Sequence, residues 1–170
     1  MRETEDEIDA LQRLLDESHR GATGHLREIV TDERRLTARD LVTVLTGMKV
    51  LSVATVTKSG EPRISALDGH FLHATWTFGT AGGSAKARHL EARPAVSVAH
   101  VDGERIGVFA HGRAERMQPA DPDFDETIAH WTDHYGSSPL TWGDDVRMYR
   151  FRPQWMVGYA ADREGLIAGR

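Results

Sequence analysis

A glycine-rich segment between a predicted strand and a predicted helix has the residue types that bind a phosphate. The strand ends at Thr80, the stretch Ala81-Gly82-Gly83 follows, and Ser84 is placed to cap the next helix. Free backbone N–H groups and the positive end of the helix dipole attract anions at such a position. Lys86 and Arg88 add positive charge, and the hydroxyls of Thr80 and Ser84 add donors. The spacing alone fits either an anion site or an ordinary capped surface helix.

Arg63 is a second residue with suitable chemistry for a phosphate. It follows the turn-forming run Gly60-Glu61-Pro62 and opens a predicted strand of mostly small residues, Ile64-Ser65-Ala66-Leu67. A guanidinium presents a planar fork of donors to a phosphate. Small side chains also let a planar ligand lie against the strand backbone. A solvated arginine at a strand edge has the same local sequence, so the residue types leave both interpretations open.

Other catalytic and metal-binding chemistries find no support in the sequence. The 170 residues include no cysteine, which excludes disulfides, thiolate metal sites and thiol catalysis. The chain has no G-x-x-x-x-G-K-[ST], strand-associated G-x-G-x-x-G, H-E-x-x-H or G-x-S-x-G motif. His130 and His134 lie four residues apart on a predicted helix. Because Ile128 and Trp131 define its buried side, we expect a solvated histidine pair and no metal site.

The composition predicts one globular domain without a membrane or nucleic-acid partner. Hydrophobic residues make up 39% of the chain and charged residues 28%, and no apolar run reaches the length of a membrane span. The net charge of −5 argues against nucleic acid as the main partner. The first seven residues are acidic, unlike those of a signal peptide, so we expect a cytoplasmic protein.

The elements that must position these residues are mainly short strands joined by turns. Residues 1–36 are predicted to form an N-terminal helical arm with a thin apolar stripe, beginning at a capping box of Thr4 and Glu7. Residues 37–162 form the main domain and 163–170 a tail. Closely spaced hairpins predict an antiparallel barrel. The predicted strands are Val50–Thr57, Arg63–Leu67, His70–His73, Thr75–Thr80, Ala95–Val101, Arg105–Met117, Asp145–Phe151 and Trp155–Ala160, with helices from Thr37, over Ala85–Glu91 and over Pro122–His134.

Four segments, in order and spacing, resemble the pyridoxamine 5′-phosphate oxidase-like family of flavin-binding split β-barrels. They span residues 59–66, 76–80, 84–90 and 93–98. The resemblance covers residues 40–118 well and 145–160 loosely. It implies a mainly β (α+β) fold, a split antiparallel β-barrel with short helices, to which the N-terminal helical arm is an addition.

The resemblance also implies two groups of residues around FMN. The group expected at the phosphate consists of Arg63, Ser84 and Lys86, with Arg88 adding charge. The group expected along the isoalloxazine ring consists of Ser65, Ala66, Leu67, Phe78, Gly79 and Thr80. No catalytic residue is implied, because the cofactor carries the chemistry.

By the same resemblance, the chain is expected to be a flavin-dependent oxidoreductase. The family forms homodimers whose two cofactor sites are each built from both chains, and a small molecule serves as substrate or electron donor. The substrate-reading motif of true pyridoxamine phosphate oxidases, W-x-x-x-R-L-H-D-R in form, is missing from residues 150–156, so vitamin B6 oxidation is not implied. The alternatives are a reductase using the deazaflavin coenzyme F-420, and a flavin- or haem-binding module without turnover.

Overall fold

The computed structural model describes residues 3–169; Met1, Arg2 and Arg170, which belong to the predicted arm and tail, lie outside the described residues. The strands are β1 (Met48–Val56), β2 (Pro62–Leu72), β3 (Thr75–Ala81), β4 (Ala95–Asp102), β5 (Ile106–Arg116) and β6 (Val146–Ala160). The helices are α1 (Glu5–Arg20), α2 (Gly24–Ile29), α3 (Ala38–Val44), α4 (Ala85–Ala92), α5 (Phe124–Tyr135) and α6 (Arg163–Ala168), with a 3-10 turn at Pro139–Thr141. The strands close an antiparallel barrel in the order β1-β2-β3-β6-β5-β4, which confirms the predicted fold class.

Two pairs of predicted strands are single long strands. The segments predicted as 63–67 and 70–73 run together in β2, and those predicted as 145–151 and 155–160 run together in β6. Pro153 does not interrupt β6, because the facing strand shifts register between His111 and Gly112, and Gly112 then lies opposite the proline. A side chain at Gly112 would come within 2.1 Å of the Arg152 carbonyl oxygen, so the bulge requires a glycine.

Helix α1 packs on the barrel of its own chain. Its stripe of Ile8, Leu11 and Leu15 is buried in the main hydrophobic core, against β6. The Ser18 hydroxyl accepts a hydrogen bond of 3.0 Å from the Met156 backbone N–H of β6. The thin apolar stripe is therefore a part of the core. None of the described helices is both long and apolar enough to cross a bilayer.

Helix α5 covers another part of the barrel. Phe124 and Trp131 of this helix form a second, smaller core with Met117 and Met148. Just before the helix, Asp123 forms an ion pair with the buried Arg150 of β6. These contacts fix the helix, and with it the aromatic residues near its end, against the barrel wall.

Candidate functional site

The barrel opens into a cavity where two neighbouring strands separate. The described pairing of β2 with β3 ends at Gly69 and Phe78. Past this pair β3 continues against β6 alone, with Thr80 opposite Arg147. The separation leaves a cavity of about 460 Å³. Its walls are Ala66, Leu67 and Asp68 of β2, Gly79, Thr80 and Ala81 of β3, and Val50, Trp131, Trp142 and Val146.

Four of the six residues predicted to lie along a flavin ring line this cavity, namely Ala66, Leu67, Gly79 and Thr80. Ser65 is next to them on β2, but side chains alternate along a strand, so its side chain lies on the opposite face from Ala66. Phe78 is fully buried and stacks on Tyr149, with ring centroids 5.7 Å apart. Only the backbone of Phe78 is therefore available to a ligand in the cavity.

The predicted phosphate loop leads from β3 into α4. The Ser84 hydroxyl accepts a hydrogen bond from a backbone N–H of the first turn, which makes Ser84 the predicted cap. It also lies 3.2 Å from the Thr80 hydroxyl, which joins the loop to the cavity wall. The Arg88 guanidinium donates to the Gly83 carbonyl at 2.6 Å, so this arginine holds the loop. Lys86 is partly buried in the first turn of α4.

Arg63 begins β2 at the end of the barrel where α4 packs. Its side chain is 57% exposed and pairs with Glu61 at 2.8 Å. The buried Thr55 hydroxyl lies 3.0 Å from Nδ1 of His89 on α4 and donates to the Arg63 carbonyl at 3.4 Å. Exposed ion pairs contribute little free energy, about 0–1 kcal/mol. The Arg63 guanidinium is therefore free to exchange Glu61 for an anion.

A charged cluster beside the glycine-rich loop was not identified from the sequence. The Asp145 carbonyl accepts a hydrogen bond of 2.7 Å from the Gly82 N–H. Arg147 pairs with the Asp145 carboxylate at 2.8 Å and also with Glu91 of α4. The hydrogen bond from Arg147 lowers the pKa of Asp145 below its usual value. A side chain at Gly82 would come within 1.9 Å of this carboxylate, so the first glycine of the loop fits closely against the cluster.

A histidine cluster lies behind the cavity: His134 is exposed as predicted, whereas His130 is partly buried and is not a solvated residue. His70 is only 1% exposed, and its Nδ1 lies 2.9 Å from Nε2 of His130. The exposed His134 ring is 4.9 Å from the His70 ring. Burial, followed by the charges of these two histidines, lowers the pKa of His70 to about 3. His70 also contacts Trp131, a wall of the cavity, at 4.6 Å between ring centroids.

The pairing of His70 with His130 joins residues 60 positions apart, which no local pattern reveals. The hydrophobic pattern predicted the buried side of α5 from Ile128 and Trp131. It did not indicate that His130 of this helix would meet a polar side chain of β2. Within residues 3–169, no group of three or more His, Asp or Glu side chains is arranged to hold a metal ion.

The barrel and the cavity between its separated strands agree with the family to which the sequence motifs pointed. A family model described as pyridoxamine 5′-phosphate oxidase matches residues 38–158. The chain therefore belongs to this family, and the predicted resemblance is confirmed. A search of curated proteins finds no match to the sequence.

Solved structures with the same fold come from several bacteria. A protein of unknown function from Agrobacterium tumefaciens, Atu2129, is 26% identical with a TM-score of 0.60, and the match covers 69% of this chain and 53% of that one. A conserved hypothetical protein from Mycobacterium tuberculosis, Rv2991, is 18% identical with a TM-score of 0.63, covering 79% and 91%. An FAD-binding protein from Mesorhizobium loti is 22% identical with a TM-score of 0.56, covering 75% and 97%. This chain thus spans about half the length of the Agrobacterium protein.

Proposed function

We propose that the chain is an FMN-dependent oxidoreductase that binds the flavin ring between β2 and β3. The observation that carries this proposal is the separation of the two strands beyond Gly69 and Phe78, which leaves a cavity with small residues, Ala66, Gly79 and Ala81, on its strand walls. Strand backbone that has no neighbouring strand offers hydrogen bonds to the polar edge of a planar ring. Membership of the family and the likeness to an FAD-binding protein support a flavin as the occupant.

Arg63 is proposed to reach the flavin phosphate from the start of β2. Arg63 precedes Leu67 by four residues on β2, which corresponds to about 13 Å of extended strand. The ribityl phosphate and the long arginine side chain together bridge this span. Ser84 and Lys86 approach from the start of α4, where backbone N–H groups and the helix dipole favour an anion. The donor set of guanidinium, ammonium, hydroxyl and backbone N–H matches a phosphate monoester.

In this proposal the chain positions the cofactor and shields it. When bound, the flavin supplies hydride and single-electron transfer. The residues of β2 and β3 orient the ring, Arg63 and Lys86 hold the phosphate, and the Trp131 side of the cavity excludes water.

FMN is favoured over a deazaflavin with a long anionic tail because two arginines near α4 are already engaged. Arg88 bonds to the loop, and Arg147 pairs with Asp145 and Glu91.

The proposal includes a homodimer that covers an apolar outer face of the barrel. Val50, Ile64 and Val101 are the most exposed large aliphatic residues of the described chain. They lie on β1, β2 and β4, among small residues such as Ala54, which pairs with Ile64 across the strands. Val50 also lines the cavity, so a second copy on this face would complete its wall. Light scattering of the FMN-loaded protein is expected to give a dimer, and a monomer with cofactor bound would contradict the shared site.

The phosphate anchor is tested by titrating apo-protein with FMN and with riboflavin, which lacks the phosphate. A hydrogen bond to a charged group contributes roughly 1.5–3 kcal/mol, and about 1.4 kcal/mol corresponds to one decade of affinity. Arg63→Ala and Lys86→Ala are therefore expected to weaken FMN by about one to two decades and riboflavin much less. Arg113→Ala removes a comparable exposed strand arginine on β5 and serves as the control.

Three outcomes would contradict parts of the proposal. If both variants bind FMN like the wild type, the phosphate lies elsewhere. If both lose FMN and riboflavin equally while their melting temperatures fall, the fold was damaged, and Lys86→Gln, which keeps the chain length, repeats the test. If bound FMN is not reduced by any nicotinamide donor under anaerobic conditions, the chain is a flavin-binding module and not an oxidoreductase.

A further inference from the structure

We propose that the side of the cavity formed by Asp68 and Trp142, next to the ring site, takes a substrate with an apolar body and a protonated amine. The inference rests on the proposed function, because it concerns the substrate side of the same site. It follows from the charge of the cavity, from the hydrogen bond that fixes its carboxylate, and from the exposed indole at its wall.

Asp68 is the only charged residue among the described residues that line this cavity. The other walls are aliphatic, aromatic or glycine, apart from the Thr80 hydroxyl, and no described arginine or lysine lines it. An anionic ligand group would therefore meet a carboxylate without a compensating cation. Asp68 is exposed, and a protonated amine seated against the apolar walls would meet its opposite charge while displacing water from it, which strengthens the attraction.

A hydrogen bond from α5 holds the Asp68 carboxylate. The Tyr135 hydroxyl donates to Oδ2 of Asp68 at 2.9 Å. Burial and this bond raise the pKa of Tyr135, so it remains a neutral donor. Tyr135 stacks on the fully buried Trp131, with ring centroids 5.6 Å apart, and its position is thereby fixed. The bond leaves the second oxygen, Oδ1, to accept a hydrogen bond from a ligand.

Trp142 supplies an aromatic face on the same wall. It is 45% exposed, which is high for so large a ring. Its Nε1 donates to the Ser137 hydroxyl at 2.9 Å, and its ring lies 4.9 Å from that of Tyr135. The indole is therefore held in one orientation while part of it stays uncovered. The face of an indole attracts cations more strongly than that of any other side-chain ring. A carboxylate beside such a face matches an alkylammonium group.

The test compares three probes of similar size that differ in charge: 2-phenylethylamine, 2-phenylethanol and 3-phenylpropionate. Each is titrated at pH 7 into the full chain, with and without FMN, by calorimetry and by changes in the flavin spectrum. The amine is expected to bind tightest and the propionate weakest. Asp68→Asn keeps an acceptor for Tyr135 but removes the charge, and should weaken the amine by about tenfold while leaving the alcohol unchanged. Asp133→Asn, an exposed carboxylate of α5 outside the cavity wall, is the control.

A second pair of variants tests the indole. Trp142→Leu should weaken the amine several-fold more than the alcohol, and Trp142→Phe should restore part of the difference. If the propionate binds as well as the amine, or if Asp68→Asn leaves amine binding unchanged, the inference is wrong. It is also wrong if Asp68→Asn weakens FMN and riboflavin as much as the amine, because Asp68 then belongs to the ring site. A protein that prefers the amine but does not bind FMN would support the inference and contradict the proposed function.

Discussion

Replacing His70 by leucine is expected to make the protein less sensitive to acid. The folded chain keeps His70 neutral, because burial and two neighbouring histidines lower its pKa from 6.5 to about 3. Below pH 6.5 the unfolded chain therefore binds a proton that the folded chain does not. The free energy of unfolding falls with falling pH until the folded group titrates near pH 3, by up to about 1.4 kcal/mol per pH unit.

Between pH 7 and about pH 4.5 the contribution of His70 alone is about 2.5 kcal/mol. At pH 7 the leucine variant should be less stable by about 1–2 kcal/mol, because His130 loses its hydrogen-bond partner. Because the variant lacks this unfavourable protonation equilibrium, it should be the more stable of the two proteins at pH 4.5, by about 0.5–1.5 kcal/mol.

Urea unfolding at both pH values, followed by tryptophan fluorescence, measures this difference. His25→Leu, at an exposed histidine that pairs with Glu28, is the control and should follow the wild type. If the stability of His70→Leu falls with pH in parallel with that of the wild type, folded His70 takes up a proton as readily as it does in the unfolded chain, and the assignment of an imidazole kept neutral by burial is refuted.

Three further substitutions test the packing that positions the site. Leu11→Ala in α1 should lower the free energy of unfolding by about 3 kcal/mol, measured by urea titration, and an effect below about 1 kcal/mol would show that the helix does not belong to the core. Asp123→Asn leaves the buried Arg150 without its carboxylate and should lower the free energy of unfolding by about 3 kcal/mol in the same assay. An unchanged free energy of unfolding would contradict the ion pair. Gly112→Ala forces a methyl group against the Arg152 carbonyl and should lower the melting temperature. A variant that melts at the same temperature as the wild type would contradict this.

The local parts of the fold could be predicted from the sequence, whereas the long strands could not. Capping chemistry correctly located the starts of α1 and α3, at Thr4 and Thr37, because a cap depends on residues within one turn. The predicted strands Asp145–Phe151 and Trp155–Ala160 leave a gap around Pro153, since proline removes a ladder hydrogen bond. Only the register of the facing strand, with its bulge at Gly112, shows that the break is unnecessary.

The candidate site divides in the same way. The cap at Ser84 is a local feature, and its motif is visible in the sequence. The family resemblance added the β2 residues that line the cavity, which local patterns left undecided. Asp68, Tyr135 and the His70 cluster were missed, because their contacts join β2 to α5 over separations of 60 and 67 residues. Such contacts depend on how α5 is seated on the barrel, which no periodicity encodes.

Strand β6 pairs with β3 over residues 146–150 and with β5 over residues 149–160, so it joins the two halves of the sheet. During synthesis, β3 and β5 cannot be joined through a shared neighbouring strand until β6 has left the ribosome. Helix α1, made much earlier, docks on the same strand, and 138 residues separate Ser18 from its partner Met156. At a synthesis rate of about 5–20 residues per second, roughly 7–28 s pass between the synthesis of Ser18 and that of Met156. The apolar stripe of α1 therefore has no β6 to pack against for that time. During that interval the nascent helix is an exposed amphipathic segment, which makes it a natural binding site for chaperones that act on growing chains.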